Sequence, residues 1–153
     1  MTSVGIGYDS HRFAEGRPLV LGGVEIAHGR GLAGHSDADV LTHAVIDALL
    51  GAAGAGGDIG TLFPDDDERW RGADSIDLLR TVVGTLAGRI VNIDATIVCE
   101  EPRIGPHRGQ MERLLAEATS ARVRVKATSN EGMGWIGRAE GIACIAVASV
   151  DSD

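Results

Sequence analysis

The sequence predicts an α/β domain of the α+β type: a mixed β-sheet with about three helices packed on one face, with residues 1–153 forming a single domain. Three observations carry this expectation. Apolar residues recur with period two in several short runs and with helical spacing in three longer ones. The two kinds of run alternate irregularly, with hairpins at both ends, which argues against a doubly wound sheet. No internal repeat or linker interrupts the 153 residues, an ordinary domain length. The early glycines in VGIGYDSHRF do not match G-x-G-x-x-G, so the dinucleotide-binding fingerprint is missing.

Residues 3–8 read as a strand. PLVLGGVEI (18–26) reads as strand, Gly-Gly turn, strand. Residues 28–39, HGRGLAGHSDAD, form a glycine-rich polar loop. DVLTHAVIDALLGAAG reads as a helix, with Val40, Leu41, Ala44, Val45, Ala48 and Leu49 at helical spacing. Ser36 with Asp39 three residues later resembles a capping box that uses Asp in place of Glu. Residues 57–75 form a long acidic connection, a length uncommon in small domains unless functional. A second helix is expected from about Ser75 to Ala87, a strand at 91–100, a third helix at 106–119, and strands at 123–129 and 141–150. A glycine-rich loop joins the last two.

Composition excludes several classes. The chain is 44% hydrophobic and 24% charged, as in folded globular proteins. No apolar run approaches the roughly 20 residues of a membrane helix. The N-terminus lacks a basic region followed by an apolar stretch, so a cytoplasmic protein with no membrane partner is expected. Net charge is −8, Lys126 is the single lysine, and no basic run exists, so no nucleic-acid partner is expected. Cys99 and Cys144 lie in apolar strand runs without CxxC spacing and read as buried reduced thiols. An anionic substrate would depend on metal ions, backbone N–H groups and a few arginines.

Asp9 and His11, two residues apart on a strand, share one face. They are either two ligands of a metal or a hydrogen-bonded surface pair. His43, one turn after Asp39 and one turn before Asp47 on the first helix, is the best third ligand. Asp9, His11 and His43 would leave one coordination position open, as in a catalytic zinc site. Asp39 or Asp47 is expected to orient the free nitrogen of His43. The alternative is a capped amphipathic helix with a satisfied histidine. His35 and Ser36 are expected to open this helix, where its positive end would favour a phosphate or diol, or to serve only as a cap.

The stretches GYDSHRF, LGGVEI, GLAGHSDADVLTHAVIDALLGAAGAGGDIGTLFPD, GADSIDLLR, NIDATIVCEEPRIGPH and VKATSNEGMGWIGRAEGIACIAV resemble the 2-C-methyl-D-erythritol 2,4-cyclodiphosphate synthases, in order and over nearly the whole chain. The resemblance implies an enzyme of the non-mevalonate isoprenoid pathway. It would convert 4-diphosphocytidyl-2-C-methyl-D-erythritol 2-phosphate to the cyclic diphosphate, releasing CMP, as a homotrimer with active sites between subunits. It implies zinc on Asp9, His11 and His43, one ion per subunit, and a second divalent ion, magnesium or manganese, on Glu131. His35 and Ser36 match the residues that contact the substrate phosphates, with His35 and Ser129 in catalytic roles. Asp58, Ile59 and Gly60 match the segment holding the erythritol diol, flanked by Phe63, Asp65 and Asp67. Pro102, Arg103, Ala127, Thr128 and Ser129 match the nucleotide pocket. Trp135 and Arg138 complete the substrate-binding set that the resemblance implies, with Arg138 near the site and the trimer axis.

The chain departs from the family pattern in places. Ser129 stands where threonine is usual and keeps the hydroxyl. Asn130, Gly105, Glu101 and Arg103 alter the nucleotide loop. Two other readings use the same residues: a metal-dependent phosphohydrolase with water as nucleophile, and a non-catalytic zinc- and nucleotide-binding trimer.

Overall fold

In the computed structural model, which describes residues 1–152, Thr2–Ala14 form one long strand, β1. The strand therefore runs past residue 8 and includes Asp9 and His11. Its inner face begins with Gly5 and Gly7. A Cβ added at Gly5 would lie 2.1 Å from the Ala48 carbonyl oxygen, and one at Gly7 would lie 1.9 Å from that of Ala44. Helix α1 (Val40–Ala53) thus rests its backbone directly on the strand. Glycine at period two on the strand meets alanine at period four on the helix, and no larger residue fits at either glycine. Asp9 and His11 continue the same face beyond the glycines and so arrive beside His43.

Two short strands, β2 (Leu19–Leu21) and β3 (Val24–Ile26), pair as the expected hairpin. Gly22 and Gly23 both have positive φ, 58° and 76°, the backbone a two-residue primed turn requires. The hairpin forms its own sheet. The main sheet adds β4 (Gly31–Leu32), β5 (Arg89–Val98), β6 (Arg122–Thr128) and β7 (Gly141–Asp151), in the order β4-β1-β7-β5-β6. All neighbours are antiparallel except β5 and β6.

The C-terminal hairpin expected from the sequence does not form. β6 lies parallel to β5, and β7 enters between β1 and β5. Polarity decides this. β7 buries Ile142, Ala143, Cys144, Ala146, Ala148 and Val150 and suits the sheet centre, whereas β6 carries the exposed Arg122, Arg124 and Lys126 and suits an edge. The Glu112 carboxylate accepts the Val125 N–H at 3.0 Å and covers part of that edge.

Three long helices, α1 and the two that follow at Ser75–Thr85 and Arg108–Thr119, pack with the inner face of the sheet around a core of Leu, Ile, Val and Ala. The connection 57–75 is not bare loop: it holds a four-residue helix, α2 (Ile59–Leu62), and a 3-10 turn, Glu68–Trp70. In chain order the later helices are α3 (Ser75–Thr85), α4 (Arg108–Thr119) and the short α5 (Gly134–Gly137). No helix among the described residues is long and apolar enough to cross a membrane. The outer sheet face leaves Val4, Ile6, Tyr8, Ile145 and Val147 exposed.

The expected capping box at Ser36 is also corrected. The N-cap of α1 is Asp39, which is fully buried. Its carboxylate accepts from the N–H groups of Gly22, Gly23 and Thr42 at 2.8, 2.8 and 3.0 Å, and from the Thr42 hydroxyl at 2.7 Å. One side chain thereby caps the helix and ties the β2–β3 turn to it.

Candidate metal centre

The face shared by β1 and α1 brings Asp9, His11 and His43 together. Asp9 Oδ2 lies 2.9 Å from His11 Nε2 and 3.1 Å from His43 Nδ1. The two imidazole nitrogens are 3.3 Å apart. All three ligand atoms fall within 4.8 Å of one another. Burial raises the Asp9 pKa, but hydrogen bonds from His11 and His43 outweigh it and hold the carboxyl at about 2. For His43, burial opposes the charged form, while Asp9 beside it raises the pKa overall. Two imidazoles and a carboxylate converging through single atoms form a donor set that fits a divalent cation with open coordination.

His43 is oriented from behind by hydroxyls. Its Nε2 lies 2.8 Å from Ser75 Oγ and 3.2 Å from Ser36 Oγ. The Ser75 hydroxyl donates to Asp37 Oδ1, and the Ser75 N–H donates to Asp37 Oδ2 at 2.9 Å. With its own proton committed to Asp37, Ser75 Oγ accepts the proton on His43 Nε2. Nδ1 is thereby the nitrogen turned to Asp9 and His11: without metal it donates to the Asp9 carboxylate, and it would give its lone pair to a bound cation. This corrects the expectation that Asp39 or Asp47 orients His43. Asp39 is occupied by its four donors, and Asp47 accepts the Ile59 N–H at 2.7 Å, tying α1 to the start of α2. The sequence signal for Ser75 was weak because it lies 32 residues from His43 and starts a helix of its own.

A cleft of 270 Å³ opens over the three ligands, and His35, Ser36, Ile59, Gly60, Phe63 and Asp65 lie on its walls. His35 and Ser36 precede α1 rather than opening it, because the cap at Asp39 takes the first-turn donors. His35 Nε2 meets the Asp67 carbonyl at 2.9 Å. Asp58 is exposed and caps α2, accepting the Thr61 N–H and hydroxyl, each at 2.9 Å. Those two bonds lower its pKa. Asp67 pairs with Arg69 beside the cleft. Trp70 and Leu78 also line the cleft and were missed by the sequence reading. Trp70 meets Phe63 edge to face at 4.8 Å, and in a chain with 3% aromatics two rings seven residues apart were a usable signal.

The other expected site residues lie elsewhere. Asp9 pairs with Cys144, Cys144 with Ile97, and Ile97 with Ala127, so one row crosses the sheet from the metal ligands to the edge strand. Three strand spacings separate its ends, about 14 Å. Ala127, Thr128, Ser129 and Glu131 therefore sit at the same end of the sheet as the ligands but outside their cleft. Ser129 Oγ accepts the Glu131 N–H at 3.2 Å, and Glu131 takes a left-handed backbone, φ 53°. The Glu100 carboxylate accepts the Asn130 and Gly132 N–H groups at 3.0 and 3.1 Å, binding this loop to the segment that follows β5. Pro102 is half-buried and its carbonyl accepts the Cys99 thiol at 3.6 Å, while Arg103 is exposed. Arg138 pairs with Glu140 at 2.7 Å on the surface. Trp135 lines another hollow, of 640 Å³, with Arg12, Arg30 and Glu140, and this hollow shares His11 with the cleft.

The profile of the YgbB family matches residues 2–151. The chain is 58% identical over 153 residues to the 2-C-methyl-D-erythritol 2,4-cyclodiphosphate synthase of Symbiobacterium thermophilum, an alignment covering 96% of this chain and 97% of that one. Among solved structures it is similar to the bifunctional IspDF of Campylobacter jejuni, with a TM-score of 0.94 and 38% identity, covering 100% of this chain and 43% of that one. It is also similar to a 2C-methyl-D-erythritol-2,4-cyclodiphosphate synthase in a CDP-bound form, with a TM-score of 0.84 and 36% identity, covering 97% of this chain and 99% of that one.

Proposed function

The chain belongs to the YgbB family, and from that premise we propose that it is an enzyme of non-mevalonate isoprenoid biosynthesis that makes 2-C-methyl-D-erythritol 2,4-cyclodiphosphate. The substrate is 4-diphosphocytidyl-2-C-methyl-D-erythritol 2-phosphate. An oxygen of its 2-phosphate attacks the β-phosphorus, the bond from that phosphorus to the bridging oxygen breaks, and CMP leaves with that oxygen. The reaction class is a phosphorus–oxygen lyase. The convergence of Asp9, His11 and His43 on one point at the base of a cleft carries this reading.

The nucleophile is already ionised near neutral pH, so the chain's residues need to position and neutralise rather than abstract a proton. Asp9, His11 and His43 would hold zinc, which supplies Lewis-acid polarisation of phosphoryl oxygens and a template for them. His35 and Ser36 contact the phosphates from the cleft wall. Asp58, Ile59 and Gly60 receive the diol, with the Asp58 carboxylate as acceptor once it turns from Thr61. Phe63, Asp65 and Asp67 close the flank. Ser129 stabilises the transferring phosphoryl group, Glu131 would hold magnesium or manganese, which would neutralise charge on the diphosphate, and Pro102, Arg103, Ala127 and Thr128 cradle the nucleotide.

These two groups lie about 14 Å apart across one chain's sheet, which supports a site completed by a neighbouring subunit. The exposed apolar outer face of the sheet supports a homotrimer closed around that face. Trp135 and Arg138 then lie near the subunit junction. The place of action is the cytoplasm. The test is CMP release from the cytidyl diphosphate substrate in magnesium buffer. Release should stop on zinc chelation and return with added zinc; release indifferent to chelation would contradict the assignment.

A further inference from the structure

The turn that carries His35 and Ser36 is held from the side opposite the cleft by one side chain. Arg17, in the loop between β1 and β2, donates from Nη1 to the Gly34 carbonyl at 2.6 Å and from Nη2 to the Ser36 carbonyl at 2.7 Å. The guanidinium fork therefore spans His35, gripping the carbonyl before it and the carbonyl after it. The same three residues, Gly34 to Ser36, border both the cleft and a second hollow of 450 Å³ that contains Arg17. They form a partition between the two.

The geometry of the trans peptide fixes what this grip does. In each peptide unit the N–H points away from the C=O. With the Gly34 carbonyl drawn to Arg17, the His35 N–H points away from Arg17, and among the described residues it meets no acceptor. With the Ser36 carbonyl drawn the same way, the Asp37 N–H points away from Arg17 and donates to the Ala73 carbonyl at 3.1 Å. The His35 carbonyl accepts the Gly72 N–H at 2.8 Å. The three carbonyls of the turn are thus all engaged, while its N–H groups at Gly34, His35 and Ser36 meet no acceptor among the described residues.

Arg17 is itself presented from a fixed base. A Cβ at Gly31 would lie 2.4 Å from both the Arg17 and Pro18 carbonyl oxygens, so β4 runs hard against this segment. Six other arginines form ion pairs with carboxylates. Among the described residues Arg17 forms none, and its charge stands beside the turn unneutralised in a chain of net charge −8.

We propose that Arg17 is a positioning residue for phosphoryl transfer: its fork holds the Gly34–Ser36 turn so that the His35 N–H is offered to a phosphoryl oxygen of the substrate. This rests on the reading of the cleft as a phosphate-binding site. Lysine cannot replace it fully, because an ammonium lacks the planar fork that grips two carbonyls at once.

The test compares wild type, Arg17→Ala and Arg17→Lys by three readouts. Metal content and thermal midpoint report the fold. Hydrogen–deuterium exchange of the peptide containing Asp37 reports the turn. Steady-state kinetics report the role. The expected result for Arg17→Ala is unchanged zinc content and faster exchange at Asp37. Its kcat should fall on the order of 100-fold, the effect of misplacing one oxyanion donor, with a much smaller change in KM. Arg17→Lys should fall between the two, and millimolar guanidinium should restore part of the kcat of Arg17→Ala. Unchanged kcat, a loss confined to KM, or loss of zinc would overturn the proposal. An inactive wild-type protein would instead overturn the reading of the cleft, while the exchange data would still decide whether Arg17 holds the turn.

Discussion

His43 Nε2 sits 2.8 Å from the hydroxyl oxygen of Ser75, and that hydroxyl donates onward to Asp37. The direction of the chain places a proton on His43 Nε2, because Ser75 has one proton and Asp37 takes it. Nδ1 faces Asp9 and His11, and donates to Asp9 until a cation takes the place of that proton. Replacing Ser75 by alanine should leave the three ligands in place and weaken metal binding about 10- to 100-fold, the usual effect of removing such a partner. Competition with a chromogenic chelator measures this. Unaltered affinity in Ser75→Ala would show that packing alone orients the ring.

Asp39 makes the strongest structural prediction. Four donors converge on a carboxylate that is fully buried. Burial raises its pKa and the donors oppose that rise. Asp39→Ala abandons several buried N–H groups and should cost about 3–5 kcal/mol, since each orphaned donor costs about 1–3 kcal/mol. Urea unfolding of the metal-free protein checks it, and a loss below about 1 kcal/mol would contradict the role of Asp39 as the tie between hairpin and helix.

Gly7 tests the packing that positions the site. Alanine there would place its Cβ 1.9 Å from the Ala44 carbonyl oxygen, so α1 must move away from β1. The expected cost exceeds about 3 kcal/mol, as for a severe overpacking, and His43 is carried off its partners. Gly7→Ala should therefore lose metal even where soluble protein is recovered. Stoichiometric metal in a stable Gly7→Ala protein would refute the close approach.

The metal-free protein should respond to acid through Asp9. Its folded pKa, about 2, lies below the ordinary 3.8, so the ionised carboxylate favours the folded state above about pH 4. That contribution, ~2 kcal/mol from the size of the shift, is lost as pH falls from about 4 through 2. Asp9→Asn should flatten this part of the stability curve. Parallel curves for the two proteins in urea titrations from pH 5 to 2 would contradict the shift.

Much of this was legible in the residues, for identifiable reasons. Period-two spacing placed Asp9 and His11 on one face, and the 3.6 period placed His43 on the helix that covers it. Gly22-Gly23 announced its turn because few other pairs accept positive φ twice. The rest depended on relations that local sequence does not carry. Whether β7 pairs with β6 or enters between β1 and β5 is a competition over burial among distant strands. Ser36 and Asp39 both suit an N-cap. Asp39 takes the role because its carboxylate can also satisfy Gly22 and Gly23, residues remote in sequence. Ser75 acquires its role only when α3 brings its first residue against His43. Placing Ser129 and Glu131 about three strands from the metal ligands required the sheet order.

The most direct test of the proposed function is the fate of oxygen in the product. The purified protein is incubated with 4-diphosphocytidyl-2-C-methyl-D-erythritol 2-phosphate, zinc and magnesium in water enriched in oxygen-18, and the products are weighed by mass spectrometry. Internal attack by the 2-phosphate predicts CMP and a cyclic diphosphate that both lack the heavy isotope. A linear product or CMP carrying one oxygen-18 would mean that water is the nucleophile, and the cleft over Asp9, His11 and His43 would then serve a hydrolase.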